Sequence, residues 1–150
     1  MSPTHAAGLA FRDPLFLAAL AAGPVAWGIL AIFLPVTTDP GWPATRLWFF
    51  LSAVLLYPVL EEIVFRGLLQ GWLLEREWGR RTLLGPVSIA NAIAALTFAV
   101  AHLIHQPPLW AMAVFLPGLV FGYFREVHGL WSAILLHVVY NAGFIWLFVH

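Results

Sequence analysis

The chain contains no cysteine and no lysine, and only 9% of its 150 residues are charged. Without cysteine there is no disulfide, no thiolate nucleophile and no Cys-ligated zinc or iron site, whichever compartment the loops face. The scarcity of charge says more, because soluble globular domains carry roughly 25% charged residues. At 62% hydrophobic residues and a mean hydropathy of +0.90, this is the composition of an integral membrane protein. All seven basic residues are arginine and they balance seven acidic ones, so no basic surplus points to nucleic acid as a partner. Internal repeats are lacking as well, and with them the matched halves expected of a transporter.

What is present is a series of apolar runs. The first, Leu15 to Leu34, is long enough to stay as a helix rather than serve as a cleaved leader, and Gly23-Pro24 should kink it. After a turn-rich loop from Pro35 to Thr45, a second helix is expected from Arg46 to Leu74. It exceeds the ~20 residues a bilayer needs, so tilt, a kink near Pro58 or projection into water must absorb the excess. Glu75 to Pro86 is the most charged loop; a third helix follows from Val87 to Ile104. A fourth, Leu109 to Phe124, is short, holds Pro117-Gly118 and is the weakest span. A polar loop from Arg125 to Gly129 then leads to a fifth helix, Leu130 to Val149. The expected fold is all-α: a single-domain, polytopic transmembrane helical bundle of about five spans with its site inside the bundle. With the N-terminus cytoplasmic, Arg12, Arg76, Arg80, Arg81 and Arg125 lie inside and Arg46 outside, as the positive-inside rule prefers.

Three charges interrupt the second run: Glu61, Glu62 and Arg66. Each costs about 2.5–3.5 kcal/mol at a bilayer centre, so the cluster needs a polar cavity, partners or a function. Glu62 and Arg66 are four apart, acid first, and can pair on one face, whereas Glu61 points about 100° away. Phe98 and His102 share a face of the third helix, and His137 and Asn141 share one of the fifth. A carboxylate in a low-dielectric pocket suits general-base work on water; a histidine beside it can share the proton, and an amide can donate to a developing oxyanion. Glu61, His102 and His137 would equally make a zinc site with an open position for water. Plainer readings exist. Glu62 with Arg66 is explicable as a structural ion pair, either histidine alone as a bond to a neighbouring helix, and Asn91 as a helix-packing residue. His5, His105, His128 and His150 fall in loops or tails and are given no role.

Taken together, Glu61-Glu62-x-x-x-Arg66, Phe98-x-x-x-His102 and His137-x-x-x-Asn141 resemble the three motifs of the CAAX prenyl protease and bacteriocin-processing family of intramembrane proteases. The order and helix placement match over about residues 47 to 149, and Phe65-Arg66-Gly67 after the two glutamates is typical of that family. The resemblance implies an endopeptidase acting near the C-terminus of a membrane-anchored protein. In it Glu61 would activate water with help from His102 and His137, Asn141 would stabilise the oxyanion, and Glu62, Arg66 and Phe98 would support the site. Members are described both as metalloproteases and as metal-independent glutamate proteases. The glutamate form is favoured here, with no cofactor, because a dedicated zinc site usually shows a closer pair such as His-x-x-x-His. A bacterial inner-membrane location is expected. Among substrates, a C-terminal sorting signal ranks above a prenylated CAAX protein by analogy. The contrasting reading is a non-catalytic membrane protein, either a peptide-binding immunity protein or a transporter subunit.

Overall fold

The computed structural model describes residues 10–149, so His5 and His150 lie outside the described residues. The fold is all-α, 76% helical, with one short hairpin among the described residues. Its elements in order are α1 (Pro14–Phe33), α2 (Trp42–Thr45), α3 (Leu47–Leu74), β1 (Thr82–Leu84), β2 (Val87–Ser88), α4 (Ile89–His102), α5 (Pro108–Ala113), α6 (Phe115–His128) and α7 (Leu130–Phe148). The segments Pro14–Phe33, Leu47–Leu74, Pro108–His128 and Leu130–Phe148 are long and apolar enough to cross a membrane.

The third and fourth apolar runs exchange the roles the sequence suggests. α4 has only 14 residues and stops at His102, which at 1.5 Å per residue is about 21 Å, short of a hydrocarbon core of about 30 Å. The segment from Pro108 to His128 is instead a full-length span. It is interrupted only at Val114, between α5 and α6, and Pro117 sits in the first turn of α6, where a backbone N–H has no helical acceptor to lose. Pro108 likewise opens α5. Nor is Arg125 to Gly129 a loop: Arg125 to His128 complete the last turn of α6, and Gly129, at φ 92°, supplies the left-handed residue that ends it.

Two compact units divide the described residues, one up to Leu60 together with those from Ile134 on, the other Glu61–Ala133. In the first, α1 begins with Asp13 accepting from the Leu15 N–H at 2.9 Å, an N-cap ahead of Pro14. Trp42 Nε1 donates to the Trp146 carbonyl and Trp146 Nε1 to the Pro40 carbonyl, both at 3.0 Å. In the second, α4 and α6 pack closely because glycines face the contact. A Cβ on Gly118 would come within 3.2 Å of Arg66 Nη2 and 3.4 Å of the Ala95 Cβ, and one on Gly122 would overlap the Asn91 side-chain oxygen. Spaced four apart, these glycines form the small-residue stripe that lets apolar helices approach. Asn91 donates to the Leu119 carbonyl at 2.9 Å, a packing residue between α4 and α6.

The long helix α3 is not uniformly α-helical. It turns π over Ser52–Leu56 and again over Ile63–Leu69, on either side of the two glutamates. In the first π turn the Tyr57 N–H bonds the Ser52 carbonyl. The next N–H in that pattern would belong to Pro58, which has none, so the Ala53 carbonyl is orphaned from the backbone. Pro58 thus acts on the hydrogen bonding of α3.

Candidate active site

In the second unit Glu62, Arg66 and Phe98 form a connected buried network. Arg66 and Glu62 are both fully buried, with Arg66 Nε 3.5 Å from Glu62 Oε2. Arg66 Nη2 also donates to the Gly118 carbonyl at 3.0 Å, and the guanidinium carbon stands 4.8 Å from the Phe98 ring centroid. A buried guanidinium is thereby met by a carboxylate, a carbonyl and an aromatic face, the partners that lower the cost of its burial.

Phe98 links that pair to His102. Its ring is edge-on to Phe65 at 5.3 Å and to His102 at 4.4 Å. His102 Nδ1 lies 2.9 Å from the Phe98 carbonyl oxygen. Since a carbonyl can only accept, Nδ1 carries a proton there, and in the neutral ring Nε2 is then the lone-pair nitrogen. α3 and α4 run antiparallel in this unit, because Phe65 and Arg66 meet Phe98 while Gln70, further along α3, reaches the start of α4 through Glu126 and Ser88. Glu61 lies four residues before Phe65 on α3, and His102 four residues after Phe98 on α4. Glu61 and His102 are partly exposed, whereas Glu62 is fully buried.

In the first unit, His137 is buried at 4% exposure and Asn141 follows one turn later on α7. Asn141 Nδ2 donates to the Ala53 carbonyl at 3.1 Å, the very group that Pro58 orphans. One amide hydrogen of Asn141 therefore satisfies α3, and the other remains for a second acceptor. Within each unit, no three His, Asp or Glu side chains are grouped to hold a metal ion among the described residues.

Three polar residues that belong to the network escaped the sequence reading. Gln70 is fully buried and donates to the Gly122 carbonyl at 3.0 Å and to Glu126 Oε1 at 2.7 Å. Ser88 Oγ donates to the same Glu126 oxygen at 2.6 Å while accepting from the Asn91 N–H at 3.0 Å, so that it caps α4. The signal for Gln70 was available: Glu62, Arg66 and Gln70 are four apart. On an ideal α-helix such a stripe drifts about 40° per step. The wider π turn over Ile63–Leu69 offsets the drift, and all three residues are fully buried. Ser88 and Glu126 could not be found while Arg125 to Gly129 read as a loop. Arg125 Nε, from the same turn, donates to the Arg66 carbonyl at 2.9 Å.

A family model described as type II CAAX prenyl endopeptidase, Rce1-like, matches residues 42–143, a stretch that includes every motif residue. No curated protein and no solved structure matches the chain.

Proposed function

The chain belongs to the type II CAAX prenyl endopeptidase Rce1-like family, and from that membership we propose a glutamate-dependent intramembrane endopeptidase with Glu61 as its base. Membership itself makes the chain a CAAX-type peptidase, and its apolar helices make it a membrane protein. The observation that carries the finer reading is the division between adjacent carboxylates. Glu62 is fully buried with its carboxylate 3.5 Å from Arg66 Nε, whereas Glu61 is partly exposed. A buried ion pair suits structure; a partly exposed carboxylate suits proton transfer.

In this mechanism Glu61 takes a proton from water as the water oxygen adds to the scissile carbonyl carbon. His102, held by its Nδ1 bond to Phe98, orients the water through Nε2, and His137 assists. The remaining amide hydrogen of Asn141 donates to the oxyanion. When the tetrahedral intermediate collapses the C–N bond breaks, and the proton held by Glu61 passes to the leaving amine, giving a carboxylic acid and an amine. Glu62, Arg66 and Phe98 hold the surrounding helices.

The zinc-dependent form of the same protease rests on one feature. A histidine whose Nδ1–H meets a backbone carbonyl is also the arrangement that metal-bound histidines adopt. Glu61, His102 and His137 would hold the ion, which would supply Lewis-acid activation of water. Either form acts on a membrane-anchored protein near its C-terminus, with a sorting signal preferred to a prenylated CAAX end. The setting would be a bacterial inner membrane, with the N-terminus and most arginines on the cytoplasmic side.

The test uses purified full-length protein with a pair of reporters. One is a single-span fusion ending in a short motif, an apolar helix and an arginine tail; the other is an S-farnesylated peptide with a CAAX end. The expected result is cleavage of the first near its C-terminus, surviving strong chelation, with Glu61→Ala and His137→Ala folded but inactive. Loss of cleavage on chelation, restored by zinc alone, would transfer the assignment to the metal form. Cleavage of the farnesylated peptide alone would move the substrate class to prenylated proteins.

A further inference from the structure

α1 lies wholly outside the segment that the family model matches, yet it grips α7 at the residues flanking the last motif. Tyr140, which falls between His137 and Asn141 in sequence, donates its hydroxyl to the Ala19 carbonyl at 2.7 Å. Trp27 Nε1 returns a bond to the Tyr140 carbonyl at 3.2 Å. Around these bonds the helices exchange rings for glycines. A Cβ on Gly23 would stand 3.0 Å from the Tyr140 ring, and one on Gly143 would overlap the Trp27 indole. A ring seated against a bare backbone resists rotation of α7, and the paired hydrogen bonds resist sliding.

The grip and the motif occupy adjoining faces of one helix. At 100° per residue Asn141 lies about 40° from His137, while Tyr140 and Gly143 lie about 60° and about 120° to the other side. A helix rotates as a unit, so whatever turns the Tyr140 and Gly143 face turns His137 and Asn141 with it. We infer that Trp27 and Tyr140 of the α1–α7 contact are positioning residues for the hydrolysis, setting the direction in which α7 presents His137 and Asn141. The inference rests on the roles proposed above for those two residues, and it gives α1 a task that the family-matched segment cannot perform by itself.

The test is a complementary pair of substitutions. Gly143→Ala places a methyl where the Trp27 indole sits, and Trp27→Leu vacates that space. On the single-span reporter, Gly143→Ala should lower kcat by about a hundredfold, the effect of displacing a catalytic group by about 1 Å. KM should stay within about twofold, since substrate binding is not what the methyl disturbs. Adding Trp27→Leu should restore most of kcat. Because the chain has no cysteine, a His137→Cys variant offers a readout without catalysis. Its thiol should react slowly with a maleimide, faster once Gly143→Ala is added, and slowly again with Trp27→Leu. Unchanged kcat in Gly143→Ala, or a loss that Trp27→Leu fails to relieve, overturns the positioning role. Thiol rates that do not change overturn the geometry beneath it. Reporter cleavage that persists in Glu61→Ala would instead show that the functional reading, and not the grip, is at fault.

Discussion

Glu62→Gln is the substitution that most directly probes how charge is tolerated in this chain. The change keeps the shape of the side chain and removes the negative charge 3.5 Å from a fully buried Arg66. At an effective dielectric of 20, the attraction between unit charges at that separation is about 5 kcal/mol before desolvation is counted. Breaking a buried pair by removing one member typically costs 3–5 kcal/mol, because the other charge stays in place. Arg66 keeps the Gly118 carbonyl and the Phe98 ring, so the expected loss is at the lower end of that range, about 3 kcal/mol. The double substitution Glu62→Gln with Arg66→Gln removes both charges and should lose less than the sum of the singles, with a coupling of about 1–3 kcal/mol. Equilibrium unfolding in mixed detergent–SDS micelles, run on all four proteins of the cycle, measures both quantities. A single-variant loss below about 1 kcal/mol with no coupling, the value of an exposed pair, would refute the view that this pair neutralises the cluster.

Further outcomes follow from the packing and hydrogen bonding. Gly122→Leu forces a side chain into the Asn91 amide and should lower stability by about 1–3 kcal/mol or more, whereas Gly28→Leu, where a Cβ meets nothing within 4 Å, should be nearly neutral in the same unfolding assay. Asn141→Ala leaves the Ala53 carbonyl without its donor, a loss of about 1–3 kcal/mol. In a Pro58→Ala background, where a backbone N–H returns to position 58, that penalty should shrink. An equal penalty in both backgrounds would contradict the orphaned-carbonyl account. Ser88→Ala removes the cap of α4 and one donor to Glu126 and should lose about 1 kcal/mol, read from earlier hydrogen exchange at the Asn91 amide.

Much of this arrangement was legible in the sequence because apolar runs and four-residue spacings are local signals. The Glu62–Arg66 pair and the extent of α1, α3 and α7 follow from periodicity and apolar run length. The effect of proline was harder to read. Pro117 falls in the first turn of α6, and Pro58 strands one carbonyl of the π turn before it. Its effect depends on which backbone acceptor goes unused, and that is set by helix register and not by composition. The polar residues of the last turn of α6 were misread for a related reason: Arg125 and Glu126 before Gly129 resemble a loop until their partners on α3 and β2 are known. The glycine notches for Trp27 and Tyr140 are a tertiary fit between distant segments, which no local pattern announces.

The central claim is that Glu61, the partly exposed member of the glutamate pair, activates the water. It is tested by steady-state cleavage of the single-span reporter by wild type, Glu61→Gln and Glu62→Gln, with each variant's folding checked by the micelle assay. The account predicts that Glu61→Gln keeps its stability while kcat falls by about 10²–10⁴, the usual worth of a positioned general base. Glu62→Gln should instead lose stability first. A Glu61→Gln protein that cuts at the wild-type rate would contradict the account.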